Sequence, residues 1–286
     1  MWIQKILVFG RLIKFSHTIF ALPFALAAVI LAHREIPFSL FTLFWILAAM
    51  ASARSAAMGF NRLVDYEYDR RNPRTADRPL TAGHIDRASV ALFIGGSSVL
   101  FMISAAFLGR LCFMLSIPVL GVLFSYSYTK RFTSFSHLVL GFAIGLAPIG
   151  AWIASTGRWD WRILPLSLGL MTYIAGFDIL YACQDIDFDR ANRLHSLPAC
   201  HGAERAFRMA AVLHALTFVF LMSVFFTFDL GRVYLAFLAV ISMLLMIEHR
   251  LVRPGRMERI DLAFFHVNSA ISILLFLGVL ADTVLA

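Results

Sequence analysis

The sequence predicts an all-α integral membrane protein of nine transmembrane helices, forming a single polytopic domain over residues 1–286. Three observations predict it. The chain is 60% hydrophobic and 15% charged, where soluble domains carry roughly 25% charged residues. Its apolar residues come in continuous runs long enough to cross a bilayer as helices, about 20 residues each, not in the alternating segments of about ten residues typical of a membrane β-barrel. Its basic residues are also sorted between alternate connections. Of 25 Lys and Arg, 19 fall on the side that includes the N-terminus and 5 on the other, with Arg54 inside a span.

The nine runs cover approximately 12–32, 38–60, 87–108, 111–128, 136–155, 162–184, 205–228, 231–248 and 261–284. The first is longer than a signal-peptide core and no small-residue cleavage site precedes the second, so it is read as a helix. The richly basic side is cytoplasmic by the positive-inside rule, which puts the N-terminus in the cytoplasm and the C-terminus outside. The net charge of +8 then reflects orientation and contact with anionic membrane lipid, and no nucleic-acid role is expected. Cys112, Cys183 and Cys200 lie far apart, a spacing that suggests neither a disulfide framework nor a zinc site.

Two connections repeat each other. The segment NRLVDYEYDRRNPRT, Asn61 to Thr75, follows the second run, and FDILYACQDIDFDRANRLHSLPACHGAERA, Phe177 to Ala206, follows the sixth. Each reads Asp-Arg-x-Asn after its last aspartate, as Asp69-Arg70-Arg71-Asn72 and Asp189-Arg190-Ala191-Asn192. Each then passes a Pro/Leu pair and a His, and opens the next helix with an acid-Arg-Ala, as Asp86-Arg87-Ala88 and Glu204-Arg205-Ala206. Four spans separate the copies. An even number makes them parallel repeats with both connections on the cytoplasmic side, an arrangement that places a site at the repeat interface.

The spacing within each copy is helical. Asn61, Asp65 and Asp69 stand at i, i+4 and i+8, which stacks them on one helix face over about 12 Å. Asp178, Tyr181, Asp185 and Asp189 share a face by the same reasoning. Like charges at this spacing repel, and ionisable groups at a bilayer are costly, so a cation must offset them. One or two carboxylates with phosphates completing an octahedron are the usual arrangement for Mg²⁺; the alternative is the local arginines alone. Arg54, seven residues before Asn61, either lines the same cavity or snorkels to the interface. Lys130 and Arg131 end the fourth span on the cytoplasmic side, where they serve either the site or membrane anchoring. Arg74 and Arg78 follow the first acidic stripe. Carboxylates with converging arginines suggest Mg²⁺ bridging to a phosphate-rich anion, and the bilayer offers room for an apolar tail. A polyprenyl diphosphate meets both descriptions. Its ionisation needs stabilisation of the leaving pyrophosphate by metal and fixed cations.

These residues resemble the UbiA-type intramembrane prenyltransferase superfamily, and most of all its 4-hydroxybenzoate polyprenyltransferase-like branch. The family's first signature is met by Arg54, Asn61, Asp65 and Asp69, with Arg74-Thr75 and Arg78-Pro79-Leu80 trailing. The second is met by Asp178, Tyr181, Asp185 and Asp189. A third, between the fourth and fifth spans, is met by Tyr126, Lys130, Arg131, Thr133 and Leu140-Gly141. The chain departs from the common pattern at Arg62, where many relatives carry an Asp.

The resemblance implies nine helices around a central cavity and Mg²⁺-dependent transfer of a polyprenyl group to a small aromatic acid, of the 4-hydroxybenzoate or dihydroxynaphthoate type, in ubiquinone or menaquinone biosynthesis at the bacterial inner membrane. It implies that Asn61, Asp65, Asp69, Asp185 and Asp189 hold Mg²⁺ and diphosphate, while Arg74, Arg78, Lys130 and Arg131 neutralise pyrophosphate. Arg54 and Tyr126 are then expected at the acceptor, and Asp178 and Tyr181 orient the acceptor or the metal shell. The rival readings are a transporter of a divalent cation or organic anion, for which midspan charge is the discriminating feature, and a phosphatidyltransferase of the CDP-alcohol type. The latter needs Asp-Gly followed by Ala-Arg, which follows neither Asp65 nor Asp185.

Overall fold

The computed structural model describes residues 8–252 and 262–285, and every regular element among these residues is helical. Twelve α-helices follow in order: α1 Leu22–His33, α2 Leu40–Val64, α3 Tyr66–Arg71, α4 Arg87–Phe107, α5 Arg110–Thr129, α6 Ser136–Thr156, α7 Leu164–Ala182, α8 Ile186–Ala191, α9 Leu197–His201, α10 Ala203–Thr227, α11 Arg232–Leu251 and α12 Asn268–Leu285. Eight helices among the described residues are long and apolar enough to cross a membrane, and a shorter apolar helix precedes them. The second to eighth expected spans match single helices to within a few residues. The ninth is entered through a π-turn at Leu262–Val267, and residue 261, its expected start, lies outside the described residues.

The first expected span differs. Residues 12–32 do not form one helix: a 3₁₀ turn, Phe15–Phe20, precedes α1. Pro23 occupies the first turn of α1. Its ring disfavours helical geometry in the residue before it, so a helix begins there more readily than it continues through.

The chain divides into two compact units, one of residues up to Thr18 with Phe41–Tyr128, the other of Ile19–Leu40 with the residues from Thr129 on. In the first unit, Leu12, Leu80, Val90 and Ile94 form a buried cluster joined by Phe60, Leu63, Tyr66 and Phe124. Phe60 stacks on Phe124 with ring centroids 4.4 Å apart. Asp86 caps α4 by accepting a hydrogen bond from the Ser89 amide at 2.8 Å, which accounts for the acid at the start of that helix. Leu92, Met114 and Ile117 point outward from α4 and α5, as side chains facing lipid do.

In the second unit α7 is the central helix. Leu166, Leu170, Tyr173, Ile174 and Ile179 are enclosed, and α6 and α10 pack along it. The approach of α6 is close because Gly141 and Gly145 face it. A Cβ at Gly145 would stand 3.0 Å from both Met171 Cβ and the Ser167 carbonyl oxygen. Small residues four apart let membrane helices come together where no hydrophobic force drives them. The short helix α1 packs with α6 and α12.

Candidate active site

In the first unit the acidic stripe is bent at its middle residue. α2 ends at Val64, and Asp65, with φ −91° and ψ 8°, is the N-cap of the six-residue α3. The i, i+4 backbone bonds continue across the junction, from the Asp65 amide to the Asn61 carbonyl at 2.9 Å and from the Asp69 amide to the Asp65 carbonyl at 2.8 Å. The face expected from the spacing is therefore retained. Asn61 Nδ2 donates to Asp65 Oδ2 at 2.9 Å and reaches Ser127 Oγ at 3.5 Å.

Asp69 is buried and serves two guanidiniums. Arg78 donates to its Oδ2 at 2.5 Å and Arg62 at 3.5 Å. Arg62, itself buried, also donates to Asn61 Oδ1 at 3.3 Å. The residue that breaks the family pattern thus supplies a fixed cation to the same stripe. Burial lowers the pKa of Arg78 to about 10, with Arg62 adding to the shift and Asp69 opposing it; at neutral pH it remains a cation. The following loop holds itself in place: Asn72 Oδ1 accepts from the Arg74 amide at 3.0 Å, and Thr75 Oγ1 donates to the Asp69 carbonyl at 2.8 Å. Such Asx and hydroxyl bonds replace the helical ladder that ends there.

The second unit repeats the junction. Asp185, with φ −104° and ψ 11°, is the N-cap of α8, also six residues long, after a 3₁₀ turn at Cys183–Asp185. Asp189 is fully enclosed: Lys130 Nζ lies 2.8 Å from its Oδ1, and Ser196 Oγ donates to Oδ2 at 2.5 Å. The His195 amide donates to the Lys130 carbonyl at 2.7 Å, which ties the loop after α8 to the connection between α5 and α6. Deeper on α7, Asp178 Oδ2 lies 2.6 Å from Nδ1 of the buried His137 on α6.

The structure brings together Asn61 with Asp65, Asp69 with Arg78, and Asp189 with Lys130, all singled out in the sequence. Arg54 is instead bonded to the Lys14 carbonyl at 3.2 Å, and its Nε is buried with no hydrogen-bond partner among the described residues. Arg74 is exposed, while Tyr126, Arg131 and Tyr181 are half-buried. Sequence reasoning missed three participants. Arg62 stands two turns before Asp69, a helical spacing that marks a pair once a lost acid is read as a gained cation. Ser196 and His137 carry no local signal, and His137 is 41 residues from its partner.

Among the described residues no three His, Cys, Asp or Glu side chains gather about one point. A metal held here would take one or two carboxylates from a unit and the rest of its shell from phosphate and water, which is the usual habit of Mg²⁺. Asp65 and Asp185, hard oxygen donors at equivalent helix junctions, fit that ion. Asp69 and Asp189 already neutralise fixed cations.

Comparison with known proteins identifies the family and the fold. The model of the UbiA prenyltransferase family matches residues 21–270. A 4-hydroxybenzoate octaprenyltransferase of Marinobacter nauticus is 32% identical over 232 residues, covering 80% of this chain and 78% of that protein. One from Methylobacillus flagellatus is 30% identical over 241 residues, covering 84% and 80%. Among solved structures, the apo form of a UbiA homolog from Aeropyrum pernix K1 superposes with a TM-score of 0.84 at 30% identity, covering 93% of this chain and 98% of that one. A UbiA homolog from Archaeoglobus fulgidus, bound to GPP and Mg²⁺, shares the fold with a TM-score of 0.66 at 21% identity, covering 96% and 99%. Membrane-length helices carrying two acid-and-cation motifs are those of an intramembrane prenyltransferase. The chain belongs to the UbiA prenyltransferase family.

Proposed function

We propose that this prenyltransferase moves a polyprenyl group from its diphosphate to a small aromatic acid of the 4-hydroxybenzoate or dihydroxynaphthoate type, with Mg²⁺, in quinone biosynthesis. The observation that carries the reading is the repeated junction: Asp65 and Asp185 cap equivalent short helices, each followed one turn later by an aspartate that holds a fixed cation. The names of the relatives support the acceptor, and the GPP and Mg²⁺ in the Archaeoglobus fulgidus protein support the donor and metal.

In this reading Asn61, Asp65 and Asp185 are the first residues to hold Mg²⁺. Asp69 and Asp189, expected from sequence in the same set, act through Arg78 and Lys130, which they keep in place. Arg78 and Lys130, with Arg74 and Arg131, bind the diphosphate and stabilise the charge that develops as the allylic C–O bond breaks. Bound Mg²⁺ supplies further neutralisation of that leaving group. Arg54, whose buried Nε–H has no partner among the described residues, and Tyr126 bind the acceptor's carboxylate end, and Tyr181 with Asp178 orients its ring. Both units act as one catalytic domain in the bacterial inner membrane, with the N-terminus and both acidic connections on the cytoplasmic side.

The test is transfer from radiolabelled polyprenyl diphosphate in isolated membranes, with 4-hydroxybenzoate and dihydroxynaphthoate offered separately. Asp65→Ala and Asp185→Ala are expected to abolish transfer, as is chelation of divalent cations, with restoration by added Mg²⁺. A correctly inserted Asp185→Ala protein that still transfers would remove the metal assignment.

A further inference from the structure

Of the carboxylates on the two acidic faces, Asp178 stands in a different environment from Asp69 and Asp189. The latter two are ion-paired to arginine or lysine. Asp178 is held by an imidazole. His137 is buried, its Nδ1 is 2.6 Å from Asp178 Oδ2, and its Nε2 is buried with no hydrogen-bond partner among the described residues. A neutral imidazole that donates Nδ1–H to the carboxylate leaves only a bare lone pair at Nε2, which costs less to bury than an unpaired N–H. Asp178 itself keeps 24% of its side-chain surface exposed. One of its oxygens is therefore pinned, and its other makes no further hydrogen bond or ion pair among the described residues.

Its depth also fits a specific step. Asp178 lies seven residues before Asp185, about 10 Å along a helix. A diphosphate held at the level of Asp185 leaves its allylic carbon, and the ring that attacks it, further along the helix toward Asp178.

We propose that Asp178 is the catalytic base that removes the ring proton from the aromatic acceptor, and that His137 is the positioning residue that aims it; this rests on the aromatic-transfer reading above. The allylic C–O bond breaks and its electron pair leaves with pyrophosphate. A ring π-pair forms the new carbon–carbon bond, which leaves a cationic ring carrying one hydrogen too many at the alkylated carbon. That C–H bond breaks, its pair restores the aromatic ring, and the proton passes to the unpinned oxygen of Asp178. The cationic ring is a strong acid, so a carboxylate is a sufficient base.

The experiment compares Asp178→Asn, His137→Gln and His137→Ala in membranes, with ring-protonated and ring-deuterated acceptor. Asp178→Asn is expected to lower acceptor-dependent transfer about 10²- to 10⁴-fold, the range for loss of a general base, and to bring out an isotope effect above unity. Misfolded protein cannot create that effect, since inactive molecules contribute equally little to both rates. His137→Ala is expected to lower kcat with the acceptor KM unchanged and to show the same isotope effect. His137→Gln, whose amide can still donate to Asp178, should recover most of the rate. Transfer retained by Asp178→Asn within about threefold of wild type, far short of a lost base, overturns the proposal, as does a loss with the isotope effect at unity. Equal losses in His137→Gln and His137→Ala without an isotope effect overturn the part assigned to His137. Wild-type membranes that yield no product from any aromatic acid overturn the parent reading, an outcome distinct from the others.

Discussion

Arg62 shows how one residue alters the electrostatics of a motif. Where many relatives place an acid, this chain buries a guanidinium that shares Asp69 with Arg78. The pair geometry makes Asp69 a counter-ion for two cations in a part of the first unit that water barely reaches. Removing one partner of a buried pair is costly because the other charge stays behind. Asp69→Asn is therefore expected to lower the unfolding free energy by about 3 kcal/mol or more, read from denaturant titration in detergent micelles. A loss below about 1 kcal/mol, the scale of an exposed ion pair, would show that the charges are solvated.

At the scale of elements, the close seam between α6 and α7 and the open faces of α4 behave oppositely toward the same change. A Cβ at Gly141 would run into the Met171 carbonyl oxygen and stand 3.0 Å from Ala175 Cβ, whereas one at Gly95 meets nothing within 4 Å. Gly141→Ala should destabilise by about 1–3 kcal/mol through overpacking. Gly95→Ala should stabilise by about 0.5–1 kcal/mol, because it removes the entropic cost of a helical glycine. Thermal unfolding of the two variants in the same detergent compares them directly, and opposite signs are expected. The acidic junctions belong to this scale as well. Asp65 and Asp185 stand where a long helix gives way to a short one, so in each unit the following aspartate belongs to a separate short helix.

Across the whole molecule the exposed thiol of Cys200 and the indole of Trp159 mark opposite sides of the membrane in the proposed orientation. A membrane-impermeant maleimide should label Cys200 in inverted vesicles and not in intact cells. Trp159→Cys, placed in a Cys200→Ser background, should show the reverse. Labelling of Cys200 from outside the cell would invert the topology and move both acidic connections out of the cytoplasm.

The sequence by itself determined the second to eighth spans, the duplicated acidic motifs and the bias of basic charge, because run length, helical spacing and loop composition are local properties of a chain. The stripe Asn61, Asp65, Asp69 was legible as a face for that reason, and its i, i+4 backbone bonds follow it. Only the tertiary structure decided which carboxylate meets which partner. Asp189 closes on Lys130 and Asp178 on His137, pairs whose members are tens of residues apart and so share no periodicity. It also decided that α1 packs with α6 and α12, since packing of one apolar helix against another depends on side-chain shape and not on hydrophobicity alone. The bends at Asp65 and Asp185 lay between these extremes. The spacing of a continuous helix hid them, yet the duplicated Asp-Arg-x-Asn, four residues after each bend, marked where both stripes end.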